Sequence, residues 1–402
     1  MILSGILAGL ALVSLGITLW QWRLGRRFPL HQRVAETGYA PALTLLKPLK
    51  GCDAETRECL RSWLTLDYAG PVQVLFGVAS ADDPVCDIVR ELLKAHPKLD
   101  ARLVICAEPL GPNAKVSTLI QLQRRAKHDL ILVSDADVRV PSDLLTNIVA
   151  PLREPDMGLV CAFYRLANPT TLAMQWEAIA INADFWSQVL QAQSLKPLDF
   201  ALGAVMASRR EELERIGGFE ALVGCLADDY QLGNKIVRAG KRITLSPVVV
   251  DCFDAPLNRR QVWAHQLRWA RTIRVCQPVP YSFSILSNAT LWPLLLLLFG
   301  RAGDLAAPFH VDPALSSTVS VVTVQAPWTW LVFGVCLLVR ILTAVRLQAR
   351  LTEATGHFRY WWLVPIKDLL GAAVWALSFV GNHVTWRGER FRVRRGGKLV
   401  KA

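Results

Sequence analysis

The sequence predicts an α/β domain built on a doubly wound parallel sheet and held between membrane segments. Three observations predict it. Of 402 residues, 52% are hydrophobic and only 19% charged, with a mean hydropathy of +0.30, which is too apolar for a disordered chain or an ordinary soluble enzyme. Within residues 38–275, five short β-rich apolar runs alternate with amphipathic stretches. Uncharged apolar runs flank that region on both sides, and the length leaves room for one soluble domain and a few spans, not a many-helix transporter with a globular domain.

Residues 1–20 carry no charge and are followed by Arg23, Arg26 and Arg27. A secretory signal places its positive charge first and ends in a small-residue cleavage site, so residues 1–22 are expected to be an uncleaved anchor with its C-terminal side in the cytoplasm. In the α/β region the expected strands are 42–46, 72–78, 101–106, 130–133 and 159–163. The expected crossover helices are 54–66, 85–95, 114–126 and 142–152. Ligands of such sheets sit beyond the carboxyl ends of the strands, which points to residues 47–53, 79–83 and 135–137.

Apolar runs return at 291–299, 328–347 and 361–380, so residues 276–386 are expected to be interfacial and transmembrane helices. The Arg-rich loop 346–359 and the basic tail 387–402, with Arg387, Arg390, Arg392, Arg394, Arg395, Lys398 and Lys401, both favour the cytoplasm. Three full spans would leave that tail outside. One run is therefore expected to re-enter or lie in the interface: 281–299, broken by Pro293, or 361–380, which holds Lys367 and Asp368 at a cost of several kcal/mol in lipid. The net charge of +12 lies largely beside the apolar segments, which argues against nucleic acid as a partner. Nine cysteines show no Cys-x-x-Cys pair and no histidine at zinc-ligand spacing, and reduced, cytosol-facing thiols fit best.

The strongest local motif is Asp135-Ala136-Asp137, two carboxylates two residues apart after a buried-looking strand. They are hard oxygen ligands suited to Mg²⁺ or Mn²⁺ bridging a diphosphate, or else a polar turn capping the next helix. Asp82-Asp83-Pro84 taken alone reads as a helix N-cap. Asp228-Asp229-Tyr230 is either a cap or the site of a general base. His265-Gln266-Leu267-Arg268-Trp269 is either a membrane-surface helix or a phosphate clamp, Arg268, beside a flat wall for a sugar, Trp269. Lys115 at a helix start pairs a phosphate or is simply exposed.

Together, in this order, these motifs are more than caps and turns. Lys47-Pro48-Leu49-Lys50-Gly51, Asp82-Asp83-Pro84, Ser134-Asp135-Ala136-Asp137, Ala227-Asp228-Asp229-Tyr230, Leu267-Arg268-Trp269 and the closing Trp386-Arg387-Gly388 resemble the ceramide glucosyltransferase family, glycosyltransferase family 21. Within it the chain looks most like bacterial hopanoid-associated glycosyltransferases. The resemblance implies a GT-A fold, a UDP-sugar donor, Mg²⁺ or Mn²⁺, inversion at the anomeric carbon and a membrane-lipid acceptor.

Carried over by motif, Asp83 is a nucleotide contact and Asp135, with Asp137, the metal-diphosphate site. Asp229 is the base, and Arg268 and Trp269 close the Gln/Arg-x-x-Arg-Trp motif. Lys47 and Lys115 are expected with them on the donor. His265 stands where that motif begins with Gln or Arg, which leaves its role open. The expected activity is transfer of N-acetylglucosamine to a hopanoid polyol at the cytoplasmic face of a bacterial inner membrane. The alternatives are glucosyl transfer to ceramide, a processive polysaccharide synthase or a non-catalytic lipid-binding scaffold.

Overall fold

The computed structural model describes residues 2–36, 38–300, 327–386 and 389–401. A long apolar helix, α1 (Ile2–Arg27), leads into the α/β region. There β1 (Leu43–Pro48), β2 (Val72–Val78), β3 (Asp100–Ile105) and β4 (Leu130–Ser134) pair in parallel in the order β3-β2-β1-β4. The helices α2 (Thr56–Ser62), α3 (Val85–Ala95) and α4 (Ala114–Gln123) make the crossovers. β1, β4 and all but the first residue of β2 are buried, as strands covered on both faces require.

Beyond β4 the sheet is mixed rather than parallel throughout. After the short β5 (Val138–Arg139) and α5 (Leu144–Val149) comes β6 (Met157–Leu166), but β7 (Val205–Arg209) inserts antiparallel between β4 and β6. The cause is the excursion between them: α6 (Leu172–Ile179), a π-helical turn (Ala180–Phe185) and α7 (Trp186–Leu195) leave the sheet to pack on the membrane helices, so the chain returns from the opposite end. α8 (Arg210–Arg215), α9 (Asp228–Arg238) and β8 (Arg242–Cys252) complete the domain, with β8 parallel to β6 and antiparallel to β5. The expected helix 54–66 is confined to Thr56–Ser62, and 142–152 ends as a 3₁₀ turn at Ala150–Arg153, where Pro151 removes a backbone donor.

α10 (Arg259–Cys276) starts on a capping box made by Asn258 and Gln261. α11 (Pro278–Phe283) and α12 (Leu291–Phe299) form a pair bent by 57°. α13 (Pro327–Thr352) is long and apolar, and α14 (Leu363–Ser378) follows it. Among the described residues α1 and α13 are the two helices able to cross a membrane by length and composition, and α11 with α12 is a third candidate only as a bent pair. α14, at 16 residues, packs against α10 instead. The expected basic tail, 387–402, contributes instead to an antiparallel sheet of β9 (His383–Trp386), β10 (Glu389–Arg394) and β11 (Lys398–Lys401); Arg387 of that tail lies outside the described residues.

Candidate active site

The carboxyl ends of β1 and β4 and the start of α9 converge on one cleft. Asp135 and Asp137 follow β4 directly, and Lys47 lies near the end of the adjacent β1. The Lys47 ammonium is fully buried and donates to Asp135 O (2.5 Å) and Ser134 Oγ (3.4 Å). Burial depresses its pKa to about 8, against the pull of Asp137 and Asp135.

Lys115 is not an exposed lysine. It stands in the first turn of α4, which Asn113 caps by accepting from Val116 N (3.1 Å), and it pairs with Asp135 Oδ1 (2.7 Å) and Asp228 Oδ2 (3.1 Å). Burial alone would depress this ammonium, but the two carboxylates outweigh it and hold it well above the ordinary lysine value. Lys115 thereby joins two motifs that are 93 residues apart, Asp135 and Asp228.

Asp229, beside Asp228, is pushed up to about 6 by burial and then by the Asp228 charge, with Lys115 opposing. Its Oδ1 accepts from Tyr230 N (2.7 Å). Gly203 lets the loop before β7 approach it, since a Cβ there would lie 2.9 Å from Asp229 Oδ2. Asp137 opens onto the cleft, where partial withdrawal from bulk water and the charges of Asp135 and Asp254 push it up to about 7. Two carboxylates held near neutral pH beside two lysines can exchange a proton or take a cation.

The α10 motif forms the far wall. His265 Nδ1 lies 2.8 Å from Glu177 Oε1, which also accepts from Gln266 Nε2 (3.0 Å). The His265 ring stands edge-on to Trp269 at 4.4 Å between centroids, and Trp269 packs on Leu166, Ala178 and Ile181. Burial raises the Asp254 carboxyl, and the neighbouring His265 and Arg268 act in the opposite direction. Asp83 stands apart from the acid cluster. It accepts from Gly51 N (3.0 Å) and Val85 N (3.1 Å), so it fixes the loop after β1 as well as the start of α3.

Sequence reasoning missed Glu177, a buried acid inside an apolar helix with no motif around it, and Asp254. The latter had a signal, since it follows strand β8 as Asp135 follows β4. A divalent cation fits this donor set. Asp135 and Asp137 supply hard oxygens in a surplus of negative charge, and among the described residues no third acidic, His or Cys ligand converges with them. A cation's remaining ligands would therefore be diphosphate and water oxygens.

A family model described as glycosyl transferase family 21 matches residues 6–399. Ceramide glucosyltransferase 3 of Caenorhabditis elegans is 27% identical over 93% of this chain and 77% of its own length. An N-acetylglucosaminyltransferase of Bradyrhizobium diazoefficiens is 25% identical over 58% of this chain and 49% of its own. Among solved structures, a mannosyltransferase from Pyrobaculum calidifontis in complex with GDP-Man and Mn²⁺ superposes with a TM-score of 0.50 at 22% identity, covering 92% of this chain and 98% of that one. The shared fold is GT-A.

Proposed function

Because the chain belongs to glycosyltransferase family 21, and is thus a sugar-transferring membrane enzyme, we propose that it moves N-acetylglucosamine from a UDP donor to a hydroxyl of a polycyclic polyol lipid of the hopanoid class. The observation that supports the transfer reading is the chain of contacts Asp135–Lys115–Asp228 with Asp229 alongside, which brings together the carboxylates that this reading assigns to donor and acceptor.

In this mechanism the acceptor oxygen attacks the anomeric carbon while the bond from that carbon to the diphosphate oxygen breaks. Asp229 takes the hydroxyl proton, and inversion follows from attack opposite the leaving group. Lys115, Lys47 and Arg268 supply positive charge where negative charge grows on the departing diphosphate. A divalent cation held by Asp135 and Asp137 would supply further neutralisation of that diphosphate. Trp269 offers a flat wall to the sugar or acceptor, His265 stands edge-on to it, and Glu177 fixes the His265 ring.

The membrane bears on the acceptor. α10 carries Arg268 and Trp269 toward the cleft, while its Ala270 packs with Tyr281 of α11 and Val374 of α14. Near them Ile273, Phe283 and Phe379 are exposed apolar side chains. A lipid hydroxyl can thus meet Asp229 without the lipid leaving its leaflet.

The second reading is glucosyl transfer to ceramide, favoured by the similarity to the Caenorhabditis protein. UDP release, measured across UDP-sugars with hopanoid polyols and with ceramide, tests both. Release dependent on UDP-N-acetylglucosamine and a hopanoid supports the first, release with UDP-glucose and ceramide the second. Lipid-independent behaviour with every donor would overturn transfer to lipid.

A further inference from the structure

The sheet β9–β11 closes on the loop that precedes Asp228 and Asp229. Leu226 N donates to Gly397 O (2.9 Å), Leu399 N donates to Gly224 O (2.8 Å), Cys225 bridges Lys398, and Gln231 Nε2 donates to Gly396 O (2.6 Å). Leu226, Val384, Phe391, Val393 and Leu399 form a small buried core behind these bonds. On its other side the same loop is held by Asn113, whose backbone N donates to Val223 O (3.0 Å) and whose side chain donates to Cys225 O (2.8 Å). Asp228 and Asp229 follow immediately. Gly397 sits at φ +76°, where side chains are strained, and a Cβ there would lie 3.1 Å from Cys276 Sγ.

The opposite face of the small sheet is basic. Arg392, Arg394 and Lys398 are exposed, and among the described residues no ion pair engages them. Arg394 and Lys398 stand directly opposite each other on neighbouring strands, an arrangement that costs stability unless an anion lies over it. The sheet also begins just beyond the C-terminal end of α14, where Val380 is 68% exposed and Arg271 donates to Val380 O (2.9 Å) and His383 O (2.5 Å). Basic side chains beside an apolar, exposed helix end are complementary to a bilayer surface carrying anionic phosphates.

We propose that the C-terminal sheet is a membrane-seated brace: Arg392, Arg394 and Lys398 take the phosphates of anionic lipid headgroups, and the backbone at Gly397 and Leu399 holds residues 224–226 and so positions Asp228 and Asp229. The positioning part rests on the assignment of Asp229 as acceptor base. Gly397 and Leu399 are positioning residues, since they touch the loop and not the reacting atoms.

The test uses the full chain in nanodiscs of phosphatidylcholine with or without phosphatidylglycerol, reading hydrogen exchange over residues 224–231 and UDP release. Each basic side chain near an anionic surface is worth about fivefold in association. Phosphatidylglycerol should slow exchange several-fold and raise kcat with little change in donor KM, and high salt should remove the gain. The triple variant R392E/R394E/K398E should respond equally in both discs. Gly397→Val should speed exchange and lower kcat in both, and Gly397→Ala, a smaller side chain at the same φ, keeps the test readable if the valine chain fails to fold.

Equal exchange of the wild type in the two discs, or a triple variant as responsive as wild type, overturns the seating on lipid. Wild-type exchange and kcat in the Gly397 variants overturn the brace. An active Asp229→Asn chain that keeps the exchange differences would instead overturn the base assignment and leave the sheet's contact with the loop standing.

Discussion

Asp229 is the residue on which the proposed reaction turns, and two properties make it testable. Its carboxyl is raised to about 6 by burial and by Asp228, and a base works only when ionised. The rate should therefore fall as pH drops through about 6, approaching tenfold per pH unit, and a kcat/KM profile measures it. Asp229→Asn should cost about 10²- to 10⁴-fold in kcat and leave donor binding nearly intact, with no acid limb at that pH. Transfer at the wild-type rate would remove the assignment. At the donor end, Asp135 Oδ1 is already engaged by Lys115, so Asp137 is the freer metal carboxylate. EDTA should stop UDP release and Mg²⁺ or Mn²⁺ restore it, with Asp137→Ala needing far more metal; chelation-resistant turnover would withdraw the cation.

At the scale of elements, the join between the soluble and membrane parts is a buried charge cluster. Arg340 of α13 donates to both oxygens of Asp368 on α14 (2.8 and 2.7 Å) and to Asp184 in the π-helical turn (2.9 Å); Lys367 pairs with both acids. Thr290 Oγ1 donates to Asp368 Oδ2 (2.7 Å) at the start of α12. Lys367 and Asp368 looked too costly for a span. The cost is offset because two cations and two anions satisfy one another within the helix bundle. Arg340→Ala should destabilise the chain by ~3–5 kcal/mol, since it leaves buried acids undercompensated. Thermal unfolding in nanodiscs measures this, and an unchanged midpoint would mean that the cluster carries no stability.

For the whole molecule, the helix contacts bear on topology. The C-terminal ends of α1 and α13 meet: Arg350 donates to Gly25 O (2.8 Å) and Phe28 O (2.7 Å), and His31 Nε2 lies 3.0 Å from Arg350 O. At the other end Leu7 and Ala11 cluster with Leu296, Trp328 and Val332. α1 and α13 thus run in the same direction, with basic residues at the ends that touch the catalytic domain, and the bent α11–α12 segment is the described element that heads the other way. The C-terminal sheet packs on the domain itself. Under the positive-inside tendency, domain and C-terminus are expected together on the cytoplasmic side. A cysteine placed at the C-terminus, with native cysteines removed, should resist an impermeant thiol reagent in intact cells; ready labelling would place the C-terminus outside.

What the sequence determined by itself is whatever rests on local pattern. Strands 72–78 and helix 85–95 coincide with Val72–Val78 and Val85–Ala95 because period-2 and period-3.6 hydrophobicity are set within a few residues. The acids after β4 and at the start of α9 were legible because strand ends and helix starts leave short motifs. Tertiary structure alone decided what depends on residues far apart in the chain. The antiparallel insertion of β7 follows from where the excursion through α6 and α7 docks, and the link from Asp135 to Asp228 exists only through Lys115. The pairing of Glu177 with His265 crosses from α6 to α10, and a tail dense in arginine folds because alternate side chains find Leu226 to pack on. Charge and hydropathy along a chain report what a segment tolerates; which partner satisfies it is fixed only when packing brings that partner within hydrogen-bond reach.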